Sequence, residues 1–544
     1  MHIDTTFSKK LLLVFSFFSI QIINADTCRP GCNPPPCCII SSPVCPCSYW
    51  PYWGKTFLLP RSQGLDAPRD MVGTYRFMHK YDSPQSFYGA WNITPQFMHS
   101  YKDDRIAEYF FGTDCLHIAG SKIEDRSANS IMADYFGLSP SFESNVCMNP
   151  TIANFVGDIG WSGQWKRLWA SIHIPLTWTR WNFELCEAIC NNDTYIPFPE
   201  RYMYSTELNA PINSFTRALQ PGVIYGDVKQ GLLHGVVGCP QTKFGVADIR
   251  ANIGYDIWLR EHGHAGFYIH AAAPTGTRSK AQYLFEPVIG NGHHWEFGLG
   301  FEGKVMIWEC DGDQELSLFF DGKLTHLFKS RQCRSFDFKC NCPLSRYMLV
   351  KTFEDAEYTR ELIPAINITT LPCEVSVDAQ LDIVAMVGYT YRGFEFDVGY
   401  NAWIRTREKL NLCGDIESNK YGFKGIQDVV YETGNPSNVT QSCATLHGNE
   451  LTTENQTLFA DAESPHYINT CDLDIYSAAA HRAFTNKLFM YLGYTWNIED
   501  ETRVKPFLGL GTSVEFEGLY PDYVQPNKNT VSQYSIWLKA GTGF

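Results

Sequence analysis

The sequence predicts an all-β chain, a transmembrane antiparallel β-barrel of about 14 to 16 strands with short turns at one end and long loops at the other. Three observations predict it. Apolar and polar residues alternate in runs that keep phase for about a dozen residues, near the 9 to 11 of a tilted transmembrane strand and beyond the usual 5 or 6 of a soluble one. The connections between these runs are alternately short and long. Beyond the N-terminus no apolar run of about 18 residues occurs, which excludes a helical membrane bundle and leaves a barrel allowed.

Composition agrees. The 544 residues carry a formal charge of −14, with 44% hydrophobic, 15% aromatic and 19% charged residues, so a large core is available and much surface meets something other than water. The acidic balance argues against nucleic acid as a partner. At the start, Lys9 and Lys10 precede the apolar stretch Leu11–Ile23, and Asn24-Ala25 leads into polar residues. This pattern reads as a secretory signal peptide over 1–25. Residues 26–60 form a Cys- and Pro-rich segment, with Cys28, Cys32, Cys37, Cys38, Cys45 and Cys47 around Pro34–Pro36, and 61–544 is assigned to the barrel. In an exported chain these cysteines read as disulfide partners. Neither Cys37-Cys38 nor Cys340-Asn341-Cys342 shows the paired spacing of a zinc finger, and no metal or cofactor is expected.

Taken in chain order, Phe87–Tyr101 and Ile106–Phe111 look extended and aromatic, while 116–158 and 190–248 are open to reading as loops or further strands. Lys166–Ile174 and Trp178–Leu185 read as a strand pair with Pro175 at their junction. From Arg250 onward nine strands are legible: Ile253–Arg260, Ala265–Ala273, Trp295–Ile307, Glu315–Phe320, Gln380–Tyr391, Phe394–Arg405, Leu488–Trp496, Leu508–Phe516 and Tyr534–Phe544. Arg392-Gly393 is a two-residue hairpin turn. Many small residues, Gly above all, oppose the apolar ones, which favours a face lining a cavity.

Counting back from Phe544 puts the chain ends and short turns on the periplasmic side and the long loops outside. Cys186, Cys190, Cys333, Cys340, Cys342, Cys373, Cys413, Cys443 and Cys471 then fall at the external end, where disulfides would stiffen the loops. The six N-terminal cysteines fall on the periplasmic side, in a local knot or in crosslinks to neighbours. The odd total of 19 leaves at least one thiol outside an intramolecular pair. Five N-x-[ST] sequons, at Asn92, Asn192, Asn367, Asn438 and Asn455, carry little meaning in a bacterial envelope protein.

The last strand places Tyr534, Ile536 and Leu538 on one face and ends in an aromatic, Phe544. This resembles the C-terminal insertion signal of bacterial outer-membrane barrels. From about Trp161 to Phe544 the Cys-rich, aromatic organisation resembles the porin-like major outer-membrane proteins of chlamydiae and other intracellular bacteria. That resemblance implies a porin that also takes part in a disulfide-linked envelope network. The Cys28–Cys47 segment departs from the family's pattern.

Polar-parity residues Asp256, Arg260, Glu296, Glu302, Lys304, Asp382, Glu395, Asp397, Arg405, Lys487, Glu515 and Lys539 are expected to line a water-filled lumen for passive diffusion of small hydrophilic solutes or ions. Seven of the twelve are acidic, so ion preference should lean weakly toward cations. The expected location is the bacterial outer membrane. The expected partners are its lipid bilayer, small solutes, and other envelope proteins through disulfides, with a homo-oligomer left open. No enzyme is expected: neither a G-x-S-x-G elbow nor a G-x-x-x-x-G-K-[ST] loop is present, and His262, His264 and His293-His294 read as surface residues without a carboxylate motif. The alternative is a structural or adhesive surface protein that uses the barrel only as an anchor.

Overall fold

A computed structural model describes residues 59, 61–81, 87–120, 123, 130–139, 141–191, 212–310, 313–339, 344–355, 357–424, 467–496, 504–517 and 531–544. The expected signal peptide, Cys28, Cys32, Cys37, Cys38, Cys45, Cys47, Cys340, Cys342 and Cys443 lie outside the described residues.

Twelve antiparallel strands close into a barrel. They are β1 (Phe87–Ser100), β2 (Glu143–Trp165), β3 (Leu168–Asn191), β4 (Ile249–Arg260), β5 (Gly263–Ala273), β6 (Glu296–Cys310), β7 (Gln314–Ser335), β8 (Thr370–Tyr391), β9 (Phe394–Arg405), β10 (Ala483–Thr495), β11 (Lys505–Glu517) and β12 (Gln533–Gly543). Each pairs with the next, and β12 returns to β1. The short turns after β2, β4, β6, β8 and β10 share one end of the barrel and the long connections share the other. At the Arg392-Gly393 turn both residues have positive φ, 52° and 109°, as a two-residue hairpin twisting with its strands requires.

Four expectations need correction. The wall has twelve strands in place of 14 to 16, and the expected pair Lys166–Ile174 and Trp178–Leu185 is the single strand β3, whose hairpin partner is β2. Pro175 interrupts nothing: its carbonyl accepts from Ala247 N, so its missing N–H faces the stretch where β3 changes partner from Gln241–Val246 to β4. Residues 106–111 are helical, within α2 (Asp103–Phe111). Asp103 and Asp104 in its first turn and Gly112 in the left-handed conformation at its end are start and stop signals that outweigh the apolar run. Finally, 61–81 is not wall but runs inside the barrel, with α1 (Ala67–Met71) at its middle.

The wall's outer face is apolar along its length, with Ile93, Ile159, Ile253, Phe267, Leu299, Leu318, Val398, Leu492, Leu510, Ile536 and Leu538 exposed. Exposed aromatics gather at its two rims: Phe87, Trp165, Trp258, Trp308, Phe394 and Trp496 at the short turns, Tyr101, Phe244, Trp295 and Phe328 toward the long connections. Phe544 extends the seam, since its N–H donates to Gly89 O and its carbonyl accepts from Gly89 N, at 2.9 and 3.1 Å.

Strands β2, β3, β7 and β8 are 22 to 24 residues long, twice the length of β5 or β12. Their surplus projects at the long-loop end. There it joins α2, the three-stranded sheet of Leu349–Glu354, Glu357–Pro364 and Tyr421–Phe423, and other described connections in a folded cap around Phe110, Phe142, Trp181, Phe215, Phe336, Tyr347 and Ile468. A disulfide joins Cys115 to Cys147 across the register of Cys115–Ala119 with β2, a pair not among those expected. Cys186, Cys190, Cys333, Cys373 and Cys413, expected in disulfides, carry free thiols, and Cys471 lies in a turn at the same end. Register explains part of this. Cys186 lies opposite Cys147, already bonded, and Cys373 is buried while Cys333 and Cys413 flank Pro372 on the opposite parity.

Candidate lumenal site

The chain enters the described structure at the long-loop end, where Leu59 packs on Val288 and Ala480, and descends through the barrel to Tyr81 before β1 begins at the short-turn end. The sequence builds this segment from local signals. Asp66 caps α1 through Arg69 N, Pro68 occupies the first turn, and Gly73, at φ +75°, turns the chain onward where a Cβ would sit 2.7 Å from the Tyr491 hydroxyl.

Ion pairs and hydrogen bonds fasten the segment to the wall at successive levels. Nearest the cap, Arg61 Nη2 meets Glu515 Oε2 at 2.6 Å and Nη1 donates to Asn401 Oδ1 at 3.3 Å; Lys487 Nζ reaches Asp66 Oδ1 at 3.1 Å. Asn401 Nδ2 donates to Asp382 Oδ1 at 2.6 Å. At mid-height Arg69 Nη1 donates to Gln96, Asp70 pairs with Arg250 at 2.5 Å, and Asp158 accepts from His173 at 2.8 Å. Lys539 Nζ donates to the carbonyls of Arg69, Asp70 and Val72, the open end of α1. Lower still, Glu395 accepts from Gly73 N at 2.9 Å and Tyr75 Oη donates to Asp397 at 3.1 Å. At the short-turn mouth His79 lies between Asp256 and Glu302, 3.1 and 3.2 Å away.

Eleven of the twelve expected lumen residues therefore point inward, although they do not surround open water. Asp256, Glu395, Asp397, Lys487, Glu515 and Lys539 hold the segment or its neighbours directly. Asp382 acts through Asn401, Glu296 accepts from Gln380 at 3.2 Å, Arg405 lies over Trp403, and Lys304 pairs with Glu315 at 2.5 Å. Arg260 is the exception and is exposed. The register slips between Asp256 and Trp258, and this bulge at Ile257 reverses the parity of the last residues of β4.

The lumen, expected to be water-filled, holds residues 61–81. The segment fills the interior, and the inward glycines do not widen it: the Trp169 ring covers Gly254 and the Trp537 ring covers Gly511. The missed residues are those of the segment, Arg61, Asp66, Arg69, Asp70 and His79, and their partners Asp158, His173 and Arg250. His264 and His294, read as surface residues, are buried. One signal could have found the filling. Phe319, Val384, Met386, Phe489, Tyr491 and Trp537 put apolar side chains on the lumen parity, where they pack on Ala67 and Val72. A cavity of about 150 Å³ remains beside His79, lined by Trp169, Tyr268, Asp321 and Lys323 among others.

No protein-family model matches the chain, and no curated protein does. Solved structures of outer-membrane channels do. One from Pseudomonas putida F1 is 11% identical with a TM-score of 0.31, the match covering 85% of this chain and 98% of that one. A FadL homologue of Pseudomonas aeruginosa is 7% identical at 0.26 over 90% and 99%. The TodX monoaromatic hydrocarbon channel, as a deletion mutant, is 8% identical at 0.29 over 85% and 90%.

Proposed function

We propose that this chain is an outer-membrane channel for small hydrophilic solutes or ions, closed in the described conformation and opened by displacement of residues 61–81. The observation that carries the reading is a polar, ion-paired interior inside an apolar, aromatic-rimmed barrel, filled by a segment held through hydrogen bonds and ion pairs. Water can replace such polar fastenings one by one as the segment leaves, and a barrel of more than about eight strands is too wide for its own side chains alone to fill. The lipid bilayer meets the outer face, and the short turns lie on the periplasmic side.

Planar-bilayer recording tests the proposal. The full chain should sit mostly closed, and a chain lacking 61–81, or carrying Asp66→Asn with Asp70→Asn, should conduct steadily. Silence in every variant that retains barrel structure would return the protein to its second reading, a surface protein anchored by its barrel. The folded cap at the long-loop end favours that reading, because an organised outer surface is what an adhesive or structural role needs.

A further inference from the structure

The lumenal segment ends at the short-turn mouth in a constellation that the channel reading does not use. We propose that His79, His264 and Glu302 form a binding site for a borderline transition-metal dication of the zinc and cobalt class, bridging the segment to the wall. The three residues come from different elements, His79 from the segment, His264 from β5 and Glu302 from β6, and their ligand atoms lie within 4.8 Å of one another.

The pair His79 Nε2 and Glu302 Oε1 is 3.2 Å apart. Two ligands each about 2.1 Å from a zinc ion stand roughly 3.0 to 3.4 Å apart, so this pair already has the bite of a chelate. The other ring nitrogen of His79 is occupied: Nδ1 lies 3.1 Å from both oxygens of Asp256. A carboxylate on one nitrogen that leaves the other for the ion is the arrangement that orients metal-binding histidines. Glu302 Oε1 is buried and accepts no hydrogen bond from the described residues. His264 stacks on His79 with 3.7 Å between ring centroids, so ligation requires its ring to turn. The cavity of about 150 Å³ alongside gives the room for that turn and for water as a further ligand. Two imidazoles and one carboxylate select zinc, cobalt, nickel or copper over calcium or magnesium, which prefer all-oxygen shells. His79 also sits at φ +57°, a backbone setting that an ordinary residue adopts at a cost. An ion here would tie the segment to two neighbouring wall strands, and its binding would add to the hold on the closed state.

The test is Co2+ titration of the purified full-length protein in detergent, with thiols first alkylated so that cysteines do not contribute. Visible d–d absorption with no thiolate charge-transfer band, saturating near one equivalent and competed by Zn2+, is the expected result. His79→Asn and Glu302→Gln should each lower the affinity at least tenfold, while His262→Asn on the adjacent exposed turn leaves it unchanged. Heat-modifiable migration on gels verifies that each variant keeps its barrel. Binding that the double variant His79→Asn/Glu302→Gln leaves unaltered would overturn the site, as would the absence of any saturable signal in the folded wild type.

Discussion

Glu408 shows how much one carboxylate can hold at the long-loop end. It is fully buried, receives Nη1 of Arg334 at 2.9 Å and Nη2 at 3.3 Å, and accepts from Ala480 N at 2.8 Å. Burial alone would raise its pKa, but the Arg334 and Arg405 guanidiniums outweigh burial and hold it below its ordinary value. A carboxyl depressed in the folded state contributes stability above its unfolded pKa and loses it as the pH falls through the folded one. The cap should therefore loosen below about pH 4.5, seen as rising protease sensitivity of the long connections while the wall persists. Glu408→Gln should remove about 3 to 5 kcal/mol at neutral pH, because it leaves a buried guanidinium without its partner; urea unfolding in detergent measures it. Lys539 makes a comparable case, since Lys539→Met would leave three helix-end carbonyls without their donor and cost about 3 kcal/mol. Inward parity was legible for eleven residues because period-2 alternation assigns sides along an unbroken strand. Arg260 escaped it because a bulge is a one-residue event with no fixed sequence signature. Arg260→Glu should accordingly leave the ion selectivity of a segment-deleted channel unchanged, and a shift in reversal potential would contradict its outward placement.

Among elements, the lumenal segment was the least legible. It is short, lacks strand alternation and is specified mainly by partners hundreds of residues away, such as Glu515 for Arg61 and Lys487 for Asp66. The wall strands advertise themselves by local pattern, whereas the filling is visible only as exceptions to that pattern. Trp403 and Met386 are such exceptions, one packing on Leu65 and the other in the cluster around Ala67. Gly73 is the pivot of the segment. Gly73→Val would force a side chain into the Tyr491 hydroxyl and strain a left-handed backbone, so it should dislodge the lower half of the segment and raise open-channel occupancy in bilayer recordings. At the opposite end the Cys115–Cys147 bridge spans 32 residues of the cap. Loop-closure entropy gives it roughly 3 to 4 kcal/mol. Cys115→Ser should expose 103–142 to protease while β1 and β12 stay paired.

At the scale of the whole molecule, the alternation of short and long connections was the most informative sequence feature, because it depends on topology and not on the exact ends of any strand. It identified the barrel, and the short turns do gather at one end of it. It could not supply the number of strands before Arg250, where β2 and β3 run for more than 20 residues and a proline sits inside one of them. A closed ring of backbone hydrogen bonds with polypeptide running through its centre also constrains the order of assembly. Chain cannot slip sideways into a finished ring, so the segment must be in place when the β1–β12 seam zips shut, or be threaded afterwards past every ion pair it makes. The first route is simpler: the segment serves as a mandrel around which the sheet curls, and Gln96, which bonds Arg69 and Asp66 on one side and Ser535 on the other, marks the seam it would draw together. Variants that loosen the segment should then slow seam closure during refolding as well as open the finished lumen.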